Sequence, residues 1–421
     1  MFACSVGQNQ QPPVRIGSDI VVGIPLSFTG NLVLESGMAK QGYDLWLDWV
    51  NGHEGGITIQ GVKHRIRVLY EDDKSSPQLA GQLAEQMITT GKAQFLLGPY
   101  GAANTAAVAA VAEAHHLPLV SANGSATSIF SKGYHFVFGV QTPAARNLQA
   151  IFDLAATLNP KPVTVAMLAA NDPFSVEVAK GATDYAPTKG FKVVFNQQYP
   201  SGSTNLTALL NQAKAAKPDI VLNSGHLLEA LALNKAAKDL RFQAKIFAYS
   251  VGPTMPDFTQ TLGQDSNYVF TGSQWTAQAK YTSQYYLTVP QYVAAYRKKF
   301  NTQLEPNYQV ADATAAGIAL EASIQHAASL VADKVRAALQ GLDLQTFYGR
   351  IRFDTIGQNP FKPMFVEQIQ AQRRQTVWPP EMASTAAQYP TPDWTTRSGV
   401  SAVAIPPATL PKTGVPIGRR G

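Results

Sequence analysis

The chain has 421 residues, of which 45% are hydrophobic and 15% charged, and its formal net charge is +6. This composition is ordinary for a globular protein, and the length allows two domains of conventional size. Because the basic residues are scattered rather than clustered among aromatic residues, the sequence predicts no nucleic-acid partner.

The N-terminal segment contains the only cysteine, Cys4, followed by a polar, proline-containing stretch. It resembles the start of a mature bacterial lipoprotein, so one interpretation is that Cys4 carries a lipid. The other is a free thiol on the flexible tail predicted for residues 1–18. No apolar run reaches the roughly 20 residues that span a bilayer, so membrane contact is predicted only through such a lipid anchor.

Apolar strands and helices alternate from Ile20 onward. The strands of this first series are predicted at 20–24, 65–71, 93–97, 117–121 and 136–139. The helices are predicted at 36–51, from Pro77 onward, and at 104–115. Short apolar strands separated by helices indicate a parallel sheet.

A second alternating series follows. Its strands are predicted at 163–168, 191–195, 219–223 and 245–248, and its helices at 174–188, 204–216 and 227–240. Right-handed crossovers make each series a doubly wound sheet, which binds ligands at the carboxyl ends of its strands. The predicted fold class is therefore α/β, with two doubly wound parallel-sheet lobes on either side of a cleft.

The last part of the chain returns to long helical patterns. Helices are predicted at 290–300 and 310–329, and strands at 348–353 and 365–369. Residues 379–421 form a Pro-rich extension, predicted to be an ordered strap to about Trp394 and disordered after about 403.

The sequence contains none of the common catalytic motifs: no Gly-x-Ser-x-Gly, no His-Glu-x-x-His, no phosphate loop and no Gly-x-Gly-x-x-Gly. The adjacent His115 and His116 would diverge from a helix end, which does not suit a shared metal ion. The chain is therefore predicted to be no enzyme and to hold no cofactor or metal.

Two loops at predicted strand ends are candidates for ligand binding. Gly98-Pro99 ends a buried strand and places residues 100–104 at the sheet edge, where the next helix exposes free N–H groups. The loop 121–127 combines short polar side chains with a glycine, which suits ligand binding but also a simple turn and helix cap. The candidate residues in these loops are Tyr100, Ala102, Ala103, Asn123 and Ser125.

Several short motifs occur together and in order. They are residues 24–30 (Ile-Pro-Leu-Ser-Phe-Thr-Gly), Glu71-Asp72-Asp73, Leu97-Gly98-Pro99-Tyr100, and Phe353-Asp354 with Gly357. Residues 19–378 resemble the type I periplasmic binding proteins of ABC transporters, in the branched-chain amino acid (leucine/isoleucine/valine)-binding branch. The resemblance implies an extracytoplasmic, monomeric solute-binding protein whose partners are a small molecule and ABC permease subunits.

The resemblance also implies a hinge of three chain crossovers, near 139–145, 270–276 and 344–350. Lobe one would then comprise residues 19–140 and 274–345, and lobe two residues 141–272 and 346–378. A ligand-sensing domain of a regulatory system would have the same fold and remains the alternative function.

The family's ligand contacts can be carried onto this chain one by one. Its first-loop serine corresponds to Ala102, its aromatic residue to Phe174, its tyrosine to His226, and its acidic partner of the ligand ammonium to Val251, whereas Ser125 retains a hydroxyl. Burying an ammonium without a counter-charge costs several kcal/mol. We therefore expect a neutral or anionic ligand, in the order amide or urea-like compound, aromatic or short aliphatic carboxylate, branched-chain amino acid.

Three residues have two interpretations each. Glu35 either accepts hydrogen bonds from the ligand or is a solvated carboxylate at a helix start. His226, at a predicted strand end, either contacts the ligand or is structural. Trp275 either stacks on the ligand from the hinge side or packs within the hinge.

Overall fold

The computed structural model describes residues 15–397, so the predictions for Cys4 and for the chain after 403 lie outside the described residues. The first strands are β1 (Arg15–Ile16), β2 (Ile20–Leu26), β3 (Ile57–Ile59), β4 (Val62–His64), β5 (Ile66–Asp72), β6 (Phe95–Leu97), β7 (Leu119–Ser121) and β8 (Val137–Gly139). The first helices are α1 (Val33–Leu47), α2 (Pro77–Thr89), α3 (Ala102–Ala114) and α4 (Thr127–Phe130). A parallel sheet in the order β5-β2-β6-β7-β8 forms the centre of the first lobe.

The second lobe is built around a larger sheet. Its strands are β9 (Thr164–Ala170), β10 (Lys192–Tyr199), β11 (Ile220–Ser224), β12 (Ile246–Tyr249) and β13 (Phe270–Ser273). Its helices are α5 (Gln149–Ala155), α6 (Pro173–Tyr185), α7 (Thr207–Ala215), α8 (Leu227–Asp239) and α9 (Pro256–Leu262).

The chain then contributes to both lobes. The remaining elements are α10 (Val289–Phe300), α11 (Tyr308–Ala327), α12 (Ala332–Gln340), β14 (Asp343–Thr346), β15 (Gly349–Arg352), β16 (Phe365–Gln370), β17 (Arg373–Trp378) and α13 (Trp394–Arg397). The second sheet has the order β10-β9-β11-β12-β13-β16-β17, and β16 and β17 are antiparallel to their neighbours. The predicted α/β class is confirmed, and β16 and β17 add an antiparallel edge to the parallel strands β9 to β13.

Apolar layers on both faces hold each sheet. The first sheet packs against α1 and α11 on one face and against α2 and α3 on the other. The second sheet packs against α5 and α6 on one face and against α7 and α8 on the other. Because helices cover both faces of the first sheet, its strand β2 is buried over all seven residues.

Helix starts follow local sequence signals. The Ser76 hydroxyl accepts a hydrogen bond from the Leu79 N–H at 3.4 Å, just before Pro77 opens α2. In the same way Asp172 caps α6, whose first residue is Pro173. Proline suits the first helical turn because its missing N–H would be unpaired there anyway.

Within residues 15–397 the chain passes between the lobes three times, and hydrogen bonds join the three passages. The Thr142 N–H donates to Oε1 of Gln274 at 2.9 Å, and Nε2 of Gln274 donates back to the Thr142 carbonyl at 2.9 Å. The Thr142 hydroxyl donates to the carbonyl of Lys362 at 3.0 Å. The third passage lies between Phe353, in the core of the first lobe, and Met364, in that of the second, later than the expected 344–350. The cause is the β14–β15 hairpin, which buries Phe347 against the first lobe.

A C-terminal strap, residues 379–397, follows β17 across the second lobe. Near its end Trp394 is 5% exposed and belongs to the apolar layer over α7 and α8. Its indole N–H donates to the Phe242 carbonyl at 2.8 Å. In this part of the chain, 15–397, no helix has both the length and the apolar content that crossing a membrane requires.

Candidate functional site

The strand order of each sheet locates the site. In both lobes the first strand of the series lies between the second and the third, so the direction of winding reverses beside it. The loops that diverge at such a switch point leave a crevice at the carboxyl ends of the strands. The crevices of the two lobes face each other, because the loops after β2, β6, β9 and β11 meet between the lobes.

A small cavity lies where these loops meet. Its volume is about 10 Å³, roughly the space for one water molecule. The residues that line it are Tyr100, Gly101, Ala102, Asn123, Gln141, Phe174, His226 and Tyr308. The two lobes are thus closed on each other in this structure, and both contribute to the wall.

The loop after β6 directs Tyr100 into this cavity. Gly101 has φ of +89°, a conformation that side chains other than glycine rarely adopt, and it immediately precedes α3. Tyr100 pairs with Asn123 in an isolated parallel bridge, so the two candidate loops lie side by side. The Tyr100 side chain is 4% exposed.

His226 is the centre of the polar contacts across the cleft. Its Nδ1 lies 3.3 Å from the Tyr100 hydroxyl of the other lobe, and its Nε2 lies 3.7 Å from Oδ1 of Asp172. The Phe174 ring lies 5.8 Å from the imidazole, centroid to centroid. Burial opposes protonation, but the carboxylates of Asp172 and Glu35 outweigh it and raise the pKa of His226 to about 9. The imidazole is therefore a cation at neutral pH.

Asp172 is the counter-ion of this imidazolium. Its Oδ1 also accepts the Ser175 N–H at 3.1 Å as the cap of α6. Burial alone would raise its pKa, but the hydrogen bonds and the charge of His226 lower it. Oδ2 of Asp172 is buried and has no hydrogen-bond partner among the described residues.

Glu35, in the first turn of α1, bridges the lobes from the other side. It is 2% exposed, and its Oε1 accepts the Leu227 N–H at the start of α8 at 3.2 Å. Burial raises the pKa of Glu35, and the charge of His226 opposes that rise. The interpretation of Glu35 as a solvated carboxylate is wrong, since the second lobe covers it.

Behind the cavity lies a buried carboxylate that the sequence did not indicate. Asp312, on α11, is 0% exposed, and its Oδ2 accepts Nδ2 of Asn123 at 3.0 Å and Nε2 of Gln141 at 2.5 Å. Burial raises the pKa of Asp312 to about 7, although the charge of Lys362 opposes the rise. Burial likewise lowers the pKa of Lys362, against the attraction of Asp312.

The candidate residues from the sequence divide into two groups. Those that line the cavity are Tyr100, Ala102, Asn123, Phe174 and His226. Ala103, Ser125, Glu35, Val251 and Trp275 lie outside its lining. Val251 is 1% exposed and packs in the core of the second lobe, while Trp275 is 0% exposed and donates its indole N–H to the Phe347 carbonyl at 2.9 Å. The structure thus favours the packing interpretation of Trp275.

Sequence reasoning missed the lining residues Gly101, Gln141 and Tyr308, and also Asp172 and Asp312 behind them. Asp172 carried a usable signal, because an aspartate before a proline at the end of a strand is a typical helix cap. Tyr308 and Asp312 carried none, since they belong to a helix far away in sequence.

The fold and the cleft are those of a solute-binding protein. The chain belongs to the periplasmic binding protein family, whose model matches residues 19–374. It has the type I fold, and its relatives include proteins described as leucine/isoleucine/valine-binding. One curated relative is Leu/Ile/Val-binding protein homolog 7 of Brucella abortus, which is 22% identical over 410 residues, covering 93% of this chain and 99% of the relative.

Solved structures share the fold at low sequence identity. A leucine-binding protein from Thermotoga maritima superposes with a TM-score of 0.75 at 19% identity, covering 85% of this chain and 97% of the other. A branched-chain amino acid transporter binding protein from Streptococcus pneumoniae, in complex with isoleucine, gives 0.73 at 20% identity, covering 86% and 100%. An ABC transporter solute-binding protein from Rhodopseudomonas palustris, in complex with 3,4-dihydroxybenzoic acid, gives 0.71 at 18%, covering 84% and 93%.

Proposed function

We propose that this protein is the extracytoplasmic solute-binding component of an ABC importer and captures a small polar molecule by closing its two lobes. One observation carries the proposal: the cavity is lined from both sides of the cleft, by Tyr100, Ala102 and Asn123 of the first lobe and by Phe174 and His226 of the second. A ligand held between these residues needs more space than the one-water cavity of this structure, so the lobes close less far around it, and its contacts stabilise that closed state relative to the open one.

Direct contacts between the lobes support hinge closure. Glu35 accepts the Leu227 N–H, and Tyr100 reaches His226 across the cleft. Both contacts separate when the lobes part, whereas the bonds among Thr142, Gln274 and Lys362 join segments that run between the lobes. Opening therefore needs changes only in a few backbone angles at the three passages.

The ligand expected here is an amide or urea-like compound, an organic or aromatic acid, or a branched-chain amino acid, in that order. The structural relatives in complex with isoleucine and with 3,4-dihydroxybenzoic acid support a ligand of this size. Val251, near which the resemblance places the family's acidic partner of an ammonium, is buried and apolar. ABC permease subunits are the proposed protein partners of a monomer, which a lipid on Cys4 would anchor to the membrane.

The experiment is a thermal melting series. Purified protein is partly unfolded, dialysed to remove carried ligand, refolded, and melted against amino acids, amides and organic acids. A ligand at about a thousand times its Kd adds roughly 4 kcal/mol to the free energy of unfolding, which raises Tm by at least a few degrees. X-ray scattering on the same samples measures closure. A ligand that raises Tm without reducing the radius of gyration would contradict capture by hinge closure.

A further inference from the structure

A residue that lines the cavity carries an unsatisfied hydrogen-bond acceptor. Asn123 is 7% exposed and lines the cavity, and its side-chain Oδ1 is buried without a hydrogen-bond partner in the range 15–397. Leaving a buried carbonyl oxygen unpaired is unfavourable, because it has lost its hydrogen bonds to water. A ligand that donates an N–H to this oxygen removes the cost, whereas a carboxylate ligand brings only more acceptors.

Asp312 fixes the orientation of the Asn123 amide. Its Oδ2 accepts the Asn123 amide nitrogen at 3.0 Å, so the oxygen must point the other way. The same carboxylate oxygen accepts the Gln141 amide nitrogen at 2.5 Å, which orients a second lining residue. One buried carboxylate thus aligns two amides whose sequence positions are 171 and 189 residues from it.

The charges around the cavity disfavour an anion. Among the described residues that line it, His226 is the one ionisable cation. Asp172 lies 3.7 Å from its Nε2, Glu229 accepts its main-chain N–H at 3.1 Å, and Glu35 accepts the next N–H along the chain. Since Asp172 already pairs with this imidazolium and two further acidic side chains lie beside it, a ligand carboxylate would have no uncompensated positive charge to face.

Tyr100 completes the recognition set. With both imidazole nitrogens protonated, Nδ1 of His226 donates to the Tyr100 oxygen at 3.3 Å. The phenolic proton then remains for an oxygen of the ligand. The residues that line the cavity consequently include one free acceptor, Oδ1 of Asn123, and one free donor, the Tyr100 hydroxyl.

We propose that this cavity selects an electrically neutral ligand with an N–H donor beside a carbonyl oxygen, as in a primary amide or a urea-like compound, and that Asp312 is the positioning residue for this selection. The inference rests on the proposed capture function and narrows it. According to this inference, the protein does not bind carboxylates that lack an N–H group.

Matched ligand pairs test the proposal on the unaltered protein. Calorimetric titration at neutral pH compares acetamide with acetate, propionamide with propionate, and benzamide with benzoate, and each amide with its N,N-dimethyl form. We expect the primary amide to bind at least tenfold more tightly than both its acid and its dimethyl form. A carboxylate that binds as tightly as its amide overturns the ligand class and leaves the capture function intact. If no compound binds, amino acids included, the capture function falls as well.

Variants separate positioning from stability. Asp312→Asn keeps the shape but removes the charge that orients Asn123, so the amide-to-acid affinity ratio should fall at least tenfold. Asn123→Ala should abolish the difference between primary and dimethyl amides. The matched control is Asn147→Ala, because Asn147 is 1% exposed with an unpaired Oδ1 but lies outside the cavity lining. It should lower Tm and leave both ratios unchanged. Equal loss of both ratios in the control would show a structural effect and contradict the proposal.

Discussion

Nε2 of His226 lies 3.7 Å from Oδ1 of Asp172, so the loops after two neighbouring strands of the second lobe, β9 and β11, share a charged pair beside the cleft. The pair raises the pKa of His226 from 6.5 to about 9. A group whose pKa is raised on folding stabilises the folded state at low pH. Its contribution is complete below pH 6.5 and is lost as the pH rises through about 9.

The first prediction concerns this pH window. A change in pKa from 6.5 to about 9 corresponds to a free energy of unfolding on the order of 3 kcal/mol. The Tm of the natural protein should therefore fall between pH 6 and pH 9.5 by several degrees more than that of His226→Gln. Differential scanning calorimetry across this range measures both. If Tm changed with pH equally in the two proteins, the raised pKa of His226 would be contradicted. Asp312, with a pKa of about 7, is present in both proteins, so its effect cancels in the comparison.

The second prediction concerns the contact between lobes at Glu35. Glu35→Leu removes the acceptor of the buried Leu227 N–H, and leaving a buried donor unpaired costs about 1–3 kcal/mol. Because that bond exists only when the lobes are closed, ligand affinity should fall at least tenfold. Titration calorimetry measures the affinity. The control Glu85→Leu alters a half-exposed glutamate on α2 and should leave affinity unchanged; equal losses in both variants would refute a specific role for Glu35.

The third prediction concerns the buried lysine of the hinge. Lys362 is 2% exposed, and its Nζ donates to Oε1 of Gln274 at 3.1 Å and lies 4.4 Å from the centre of the Tyr348 ring. Lys362→Met removes the hydrogen bond to Gln274 and the positive charge that favours the ionised form of Asp312, which should cost about 1.5–3 kcal/mol of unfolding free energy.

Urea unfolding measures this cost, and a double-mutant cycle tests its cause. If the unpaired charge is responsible, Asp312→Asn in the Lys362→Met background should recover at least about 1 kcal/mol. The control Lys180→Met removes a lysine that is 73% exposed and should change stability by less than about 1 kcal/mol. Additive losses in the double variant would show that the two residues act independently.

The fourth prediction concerns the C-terminal strap. Trp394 fills the apolar layer of the second lobe beside Phe247, with the ring centres 5.9 Å apart. Trp394→Ala should cost about 3–5 kcal/mol, as expected for a buried tryptophan. Urea unfolding followed by circular dichroism measures the loss. Val331→Ala, at a residue that is 55% exposed, serves as the control, and an equally small effect of both substitutions would mean that the strap adds nothing to the fold.

Local patterns were sufficient for most of the helices and strands. The sequence predicted the buried strand β2 and the start of α2 at Ser76 and Pro77. Both depend on a few adjacent residues, whose apolar pattern and capping residues can be recognised locally. The antiparallel direction of β16 and β17 was not predicted, since strand direction depends on the partner strand. The sequence also placed the third passage too early. The β14–β15 hairpin packs on the first lobe, and its own sequence does not indicate which lobe it contacts.

The sequence by itself determined the family, the α/β class and those site residues that directly follow strands, such as Tyr100 and His226, since strand ends are marked locally. Only the tertiary structure decided that Asp172 is the counter-ion of His226, that Glu35 is covered by the second lobe, and that Asp312 orients Asn123. Each of these contacts joins residues that are between 54 and 192 positions apart in the sequence. Their electrostatics depend on distance and burial, which the packing of the two lobes creates and no local pattern encodes.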